Sequence, residues 1–314
     1  MVTIVEEQEI RQLIGFDEKA LRQVERSFDW ATNREAEIPP VMHYSLPDGD
    51  VDVKGAYVPS VSQFAIKVAS GFYENWKLGL PSSSGLMLVI NANTGICDAV
   101  LLDNGYLTNL RTGLAGAVAA RHLAPNDIDT VGVVGSGAQA RFQVRAIQMV
   151  RKFQRLMVFG IDTKEMDNYI TEMATCIDAS IVAAESVEQL VHESQCVVTT
   201  TPSKTPLIDA SMLHQTLHIT AMGSDLPGKQ ELNANVLAAV DLVCCDRLAQ
   251  AVKIGELQHA VDIERMSPVE LGQIVAGHHA GRTASSQTTV CDLSGIGTQD
   301  TAIAVEVLRR IANT

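Results

Sequence analysis

One glycine turn, two acids and three cations supply the residue types from which chemistry could be built on this chain. The turn is Gly135-Ser136-Gly137-Ala138-Gln139-Ala140. It follows Thr130-Val131-Gly132-Val133-Val134, an apolar run fit for a strand buried on both faces. It leads into a stretch where Phe142, Ala146, Met149 and Val150 fall near helical spacing. Strand, Gly-x-Gly-x-x-Ala, helix is the context that a dinucleotide fingerprint requires. Gly135 permits the tight turn, Gly137 lets a pyrophosphate approach the backbone, and Ala140 lets the helix pack close to the strand. The helix N-terminus then offers free N–H groups and the positive end of its dipole to phosphate.

The two acids stand at the ends of later apolar runs. Asp162 closes the run 156–162. An acid there takes the ribose hydroxyls of an adenosine and repels a 2′-phosphate, which favours NAD over NADP. Ile161 beside it, in place of an Arg, points the same way; the alternative is an ordinary surface turn. Asp225 follows the run 217–225 and precedes Pro227-Gly228-Lys229. Strand carboxyl ends of an open parallel sheet face the ligand crevice, so Asp225 could exchange protons with an amino or imino nitrogen. Equally, it could cap a helix over Gln230-Glu231-Leu232.

The cations are Lys67, Arg111 and Lys54. Lys67 lies inside the apolar strand-like stretch 64–72. Pointing inward it needs an anionic partner, for which a substrate carboxylate would serve; pointing outward it is a common solvated Lys. Arg111 heads an Ala-rich helical stretch and could clamp a carboxylate with two parallel hydrogen bonds, or form an ion pair between domains. Lys54, in Asp52-Val53-Lys54, reads as a solvated strand residue. The eight His show no ligand spacing, and His278-His279 beside Gly277 reads as an exposed loop. The six Cys lack CxxC pairing and read as buried thiols in a reducing compartment, so no metal site is expected.

The elements that must position these groups divide the chain. A short strand and an amphipathic helix over 16–28 come first, and Pro39-Pro40 breaks the chain. From 41 to 102 the pattern is antiparallel strands, with turn signals at Asp48-Gly49 and Asn93-Thr94-Gly95 and an irregular loop over 79–85. An Ala-rich helix spans 106–124, and Pro125-Asn126-Asp127 marks a boundary. Beyond it, short apolar runs (156–162, 179–183, 195–202, 217–225, 242–246 and 289–293) alternate with helical stretches, the pattern of a doubly wound parallel sheet. Residues 251–282 read as helical around a loop at Met266-Ser267-Pro268, and a helix from Asp300 to Ala312 closes the chain.

The chain has 314 residues, enough for two domains with cores of their own. A net charge of −13 argues against nucleic acid or an anionic membrane as the main partner. No apolar run reaches the length of a membrane span, and the N-terminus lacks a secretory pattern, so a cytoplasmic protein is expected.

Taken together, the chain resembles the ornithine cyclodeaminase/μ-crystallin family over nearly its full length. The resemblance is carried by Ala65-Ile66-Lys67-Val68, Gly79-Leu80-Pro81-Ser82, Leu110-Arg111-Thr112, the glycine turn, Thr200-Thr201-Pro202, Gly223-Ser224-Asp225-x-x-Gly228-Lys229-x-Glu231-Leu232 and Asp292-Leu293-Ser294-Gly295. The stretches 51–57 and 102–108 are most similar to cyclodeaminase-like members of the ectoine-utilisation type. The family implies an α/β protein: a Rossmann-type doubly wound parallel sheet over 125–298, and an α+β domain over 1–124 with 299–314 that binds substrate and builds a homodimer. Its cyclodeaminases use bound NAD to oxidise ornithine at the Cα–N bond; the δ-amine attacks the imine, ammonia leaves, and the hydride returns to give proline. Other members are cyclic imine (ketimine) reductases or amino-acid dehydrogenases with net hydride transfer, or non-catalytic binding proteins of the μ-crystallin kind.

Carried over by position, the resemblance implies that Asp225 is the acid/base residue and that Lys67 and Arg111 hold the substrate carboxylate. Gly295 would approach the substrate. Ser82, Arg111, Gly135, Gly137, Ala138, Gln139, Asp162, Thr201, Met222, Gly223, Ser224, Lys229 and Ser294 would surround the NAD. One departure stands out. Many members carry Arg or Lys just after the Pro pair, where this chain has Val41-Met42-His43. His43 or Lys54 would have to supply that cation. The expected reaction is a cyclodeaminase-type ammonia lyase on ornithine or an analogue, with an imine reductase as the alternative.

Overall fold

The computed structural model describes residues 2–33, 36–72 and 74–313. The chain forms two compact units, one built from residues up to 111 together with those from 296 on, the other from residues 112–295.

The first unit opens with β1 (Thr3–Glu6), α1 (Glu7–Leu13) and α2 (Glu18–Thr32). The carboxylate of Asp17 starts α2 by accepting the N–H groups of Lys19 and Ala20, each at 3.0 Å. Helical spacing then puts Ala20, Leu21, Val24 and Phe28 on one buried stripe. Strands β2 (Met42–Leu46), β3 (Gly49–Ala56), β4 (Gln63–Gly71), β5 (Ser83–Asn91) and β6 (Cys97–Leu102) follow. They lie in the order β1-β6-β5-β4-β3-β2, antiparallel except for the parallel pair β1 and β6. Strand alternation turns Ala65, Lys67, Met87, Val89, Ala99 and Leu101 to the buried face. Ile66, Val68, Leu86, Leu88 and Val100 occupy the other, half-buried face. The hairpin between β5 and β6 is held by Asn91, whose side-chain oxygen accepts the N–H groups of Asn93 and Thr94. Residues 83–85, expected in a loop, instead begin β5 and pair with Ala69, Ser70 and Gly71.

Helix α3 (Tyr106–Leu123) contains the division between the units, at Arg111 and Thr112, ahead of the Pro125 break where the sequence suggested it. The second unit then runs β7 (Thr130–Val134), α4 (Ala138–Val150), β8 (Arg155–Phe159), α5 (Thr163–Met173), β9 (Ser180–Ala183), α6 (Val187–Glu193), β10 (Cys196–Thr199), β11 (His218–Ala221), α7 (Ala234–Ala239), β12 (Leu242–Cys245), α8 (Leu248–Ile254), α9 (Ile263–Met266), β13 (Val269–Glu270), α10 (Leu271–Val275) and β14 (Thr289–Asp292). Every strand pair here is parallel, in the order β13-β12-β14-β11-β10-β7-β8-β9. This is the Rossmann-type doubly wound sheet that the sequence implied. All five residues of β7 are buried, as its unbroken Val-rich run requires. Each fully buried Val, Leu or Ile of such strands contributes about 1.5–3 kcal/mol.

The stretch 251–282 is not the pair of helices that its composition suggests. It breaks into the end of α8, a 3₁₀ turn over Glu256–His259, α9, the edge strand β13 and α10, and its last residues are irregular. Gly255 and Pro268 interrupt the run, and the two-residue β13 adds an edge to the sheet.

Helix α11 (Gly297–Ile311) returns to the first unit and packs against α2, β3 and β4. Gly297 allows this approach: a Cβ there would collide with the carbonyl oxygen of Gly55 on β3. The Thr301 hydroxyl donates to the Ala56 carbonyl at 2.8 Å and accepts the Ala65 N–H at 3.0 Å, stitching α11 to both strands. Among the described residues, no helix is long and apolar enough to cross a membrane.

Candidate functional site

The first unit carries a buried cationic cluster. Lys67, in the middle of β4, is 2% exposed, and its Nζ lies 3.1 Å from Oδ1 of the fully buried Asp300 on α11. Arg111 Nε lies 3.0 Å from the same oxygen, and its Nη1 donates to Gln299 Oε1 at 3.0 Å. Lys67 therefore points inward, and the Arg111 ion pair lies within one unit rather than between domains. Lys54 corrects the sequence reading. It is buried, because it stands directly opposite Lys67 in the β3–β4 register and shares the covered face with Ala56. Burial pushes the Lys67 ammonium down to about 7, the Arg111 charge adds to this, and Asp300 opposes it. Among the described residues, Asp300 Oδ2 and Gln299 Nε2 are buried with no hydrogen-bond partner. Two cations on one carboxylate, with the buried Lys54 opposite Lys67 and an orphaned amide donor on Gln299, suit a further anion: it would gain charge-assisted hydrogen bonds and lower the cost of the buried charge. His43 is not part of this cluster; its ring bonds Asp52 and Ser45 on the exposed side of β2 and β3. Ser82 lies just before β5, where its carbonyl accepts the Phe72 N–H at 2.8 Å.

The second unit gathers the remaining candidates along one edge. Gly135 and Gly137 follow β7, Asp162 follows β8, and Thr201 follows β10. Met222, Gly223, Ser224 and Asp225 follow β11, and Ser294 and Gly295 follow β14. All are therefore at strand carboxyl ends. The sheet reverses its order at β7 and β10, which defines the crevice of a doubly wound fold. Gly135 has φ +109°, and a Cβ there would sit 2.6 Å from Thr200 Oγ1 at the end of β10. Around Gly137 a Cβ would meet nothing within 4 Å. Gly137 is also the N-cap of α4 and provides no side-chain cap, so the helix opens on backbone N–H groups with Ala138 and Gln139 in its first turn. An open glycine edge at an uncapped helix start fits a dinucleotide pyrophosphate.

Asp162 caps α5, accepting the Glu165 N–H at 2.9 Å, and Ile161 beside it is fully exposed. Asp225 does not cap a helix. It lies in a loop, and its Oδ1 receives Lys229 Nζ at 2.7 Å. The Ser224 hydroxyl donates to the Lys229 carbonyl at 3.0 Å and closes the same loop.

Several acids around this edge were given no role from sequence. Glu231 is buried and bonds Thr199, Thr201 and Gly223. Asp246 accepts the Gly295 N–H at 2.7 Å and the Ser294 hydroxyl at 3.1 Å. Asp292 accepts the Leu257 N–H at 2.9 Å, and burial raises its carboxyl well above the usual range. Asp246 and Asp292 each end a run of buried apolar residues, the one signal that could have marked them.

A family model described as the ornithine cyclodeaminase/mu-crystallin family matches residues 1–314. A protein named an uncharacterized cyclodeaminase, from Sinorhizobium fredii, is 40% identical over 314 residues, covering 98% of this chain and 95% of the relative. Among solved structures, the iminosuccinate reductase of Paracoccus denitrificans in complex with NAD+ superposes with a TM-score of 0.88 at 30% identity, covering 99% of this chain and 97% of that one. An archaeal alanine dehydrogenase dimer with bound NAD superposes with a TM-score of 0.89 at 28% identity, covering 99% and 96%.

Proposed function

We propose that this chain, which belongs to the ornithine cyclodeaminase/mu-crystallin family, is an NAD-dependent enzyme that acts at the Cα–N bond of a small amino or imino acid. The observation that carries this reading is the buried pairing of Lys67 and Arg111 with Asp300, with the buried Lys54 directly opposite Lys67. A carboxylate is the anion that every small α-amino or α-imino acid presents, and Lys67 and Arg111 bind it. Lys54 takes the place of the cation missing after Pro39-Pro40. NAD would be held by Gly135, Gly137, Ala138 and Gln139 at the pyrophosphate and by Asp162 at the adenosine ribose, with Thr201, Met222, Gly223, Ser224, Lys229 and Ser294 along the same edge. When bound, it supplies a hydride acceptor or donor. Asp225 moves the proton that accompanies hydride transfer, to or from the substrate nitrogen. Lys229, ion-paired with it at 2.7 Å, holds the carboxylate in place.

Net reduction of an imino acid, or its reverse, fits the cluster best. Three buried cations favour a substrate whose overall charge is zero or negative, and disfavour a second ammonium such as the δ-amine of ornithine. The names of the alanine dehydrogenase and iminosuccinate reductase neighbours support the same reading. A cyclodeaminase-type lyase on ornithine or an analogue is the second reading, favoured by the name of the 40% identical relative.

The deciding experiment incubates purified protein with ornithine and catalytic NAD, and separately with pyrroline-2-carboxylate, iminosuccinate or pyruvate plus ammonia and stoichiometric NADH. NADH consumption with an imino acid supports the reductase. Ammonia from ornithine without net NADH supports the lyase. No turnover in any arm overturns both. In whichever reaction runs, Asp225→Asn should lose turnover and still bind NADH.

A further inference from the structure

The carboxylate of Glu231 does more than fill a buried position. Its Oε1 accepts the Thr201 N–H at 2.6 Å and the Thr201 hydroxyl at 2.8 Å. Its Oε2 accepts the Thr199 hydroxyl at 2.6 Å and the Gly223 N–H at 2.8 Å. Both oxygens are thus filled by donors, two of them backbone N–H groups whose direction is fixed. Thr199 ends β10 and Gly223 follows β11, so one side chain fastens the carboxyl ends of two neighbouring strands. It also closes its own loop, since Gly223 is where that loop begins. Asp225 and Lys229 lie inside the loop.

Glu231 is itself held. Its N–H and that of Leu232 donate to the two oxygens of Glu256, at 2.8 and 3.0 Å. The residue after Glu256, Leu257, donates its N–H to Asp292 on β14. Three buried acids in succession each grip backbone N–H groups that no sheet or helix satisfies, so the row spans from β14 to β10. Such groups cannot turn to accommodate a wrong partner, so the row fixes loop geometry more tightly than apolar packing would.

We infer that Glu231 is a positioning residue for NAD binding and proton transfer. It acts through Thr201 and Gly223, setting the loop ends against the dinucleotide and the loop that carries Asp225. The inference rests on the NAD-dependent reading above. Gln at this position keeps the shape but has one acceptor oxygen, so either the Thr201 pair or the Gly223 N–H must face an NH₂ group.

The test titrates NADH into the full-length wild type and Glu231→Gln, followed by NADH fluorescence, with kcat measured at saturating NADH. A rise in the NADH Kd of about tenfold, with a fall in kcat, is expected from losing two charge-assisted bonds. A lower melting temperature with unchanged Kd and kcat would make Glu231 merely structural and overturn the inference. If Glu231→Gln fails to fold, Thr199→Val replaces it. That change removes one bond to Glu231 and touches no residue assigned to NAD. A Kd raised about threefold supports the inference, and a wild-type Kd overturns it. Failure of the wild type to bind NADH overturns the NAD-dependent reading, and this inference with it. Normal wild-type binding with indifferent variants overturns this inference alone.

Discussion

Lys54 and Lys67 stand directly opposite each other on antiparallel neighbours β3 and β4, and both are buried. Like charges in that relation destabilise a sheet, and burial adds to the cost. Asp300 lies against Lys67 and Arg111 together. An arrangement that costs stability without a ligand, and would become favourable when an anion arrives, fits the proposed binding site better than a structural ion pair.

Methionine substitutions separate the two lysines, since Met keeps the length and removes the charge. Lys67→Met should lower kcat/KM by about 100-fold, the loss of a buried charged hydrogen bond to substrate. Lys54→Met should act mainly on KM, by about tenfold, and should raise the melting temperature by relieving the repulsion on Lys67. Steady-state kinetics and thermal melts on both variants check this. Wild-type KM in both would remove the cluster from substrate binding.

The depressed Lys67 titration gives a proton-linkage prediction. In the free protein Lys67 titrates near 7, because burial and the Arg111 charge outweigh Asp300. In the unfolded chain a Lys titrates near about 10.4, so between those limits the unfolded state holds the extra proton. The cost of burying the ammonium is therefore fully present below about 7 and is relieved as pH rises toward about 10.4. A bound carboxylate raises the Lys67 pKa again. Binding L-proline, the product that both readings share for a cyclic substrate, should take up close to one proton at about pH 8.5 and almost none at about pH 5.5. Calorimetric titration in buffers of different ionisation enthalpy reads this directly. Heats independent of buffer at the higher pH would sink it.

Asp162 combines two roles that one substitution can part. As the N-cap of α5 it bonds the Glu165 N–H, and its charge is what would repel a 2′-phosphate. Asp162→Ser keeps a cap and removes the charge. It should shift the NADP/NAD ratio of kcat/KM toward NADP by at least about tenfold, with a stability change within about 0.5 kcal/mol. Asp162→Ala should shift the ratio equally and lose about 1 kcal/mol of stability through the missing cap. An unaltered cofactor ratio in both variants would exclude Asp162 from the ribose site.

The parts of this design that sequence discloses are those with local causes. β7 is legible because a strand buried on both faces must be apolar throughout. Lys67 is legible as a lone charge in an apolar strand. Its partner is not, because Asp300 lies 233 residues away and nothing in α11 marks which polar residue turns inward. Lys54 misleads, since an alternating strand looks alike whichever face is covered. The roles of Glu231 and Glu256 are hidden for a related reason. Acids in turns are usually solvated, and only the tertiary fold shows which of them reach back to orphaned backbone N–H groups. The stretch 251–282 reads as helical because a two-residue edge strand such as β13 leaves no period to detect.

The half-buried face of the first sheet carries the last prediction. In register across it lie Ile4, Val100, Leu88 and Ile66, with Val68, Leu86 and Val53 in the adjoining row. Ile4 and Leu102 are exposed, at 64% and 38%. A continuous apolar strip on one face of a sheet is costly in water and suits a second copy of the same surface. A homodimer, which the family resemblance implies, would use this face; the archaeal alanine dehydrogenase neighbour is named as a dimer. Light scattering on the purified protein should give twice the chain mass of 33.8 kDa. Leu88→Arg, which places a charge in the middle of the strip and leaves the buried face untouched, should give the mass of one chain with the far-UV circular dichroism preserved. A monomeric wild type, or a dimer that survives Leu88→Arg, would move the interface elsewhere.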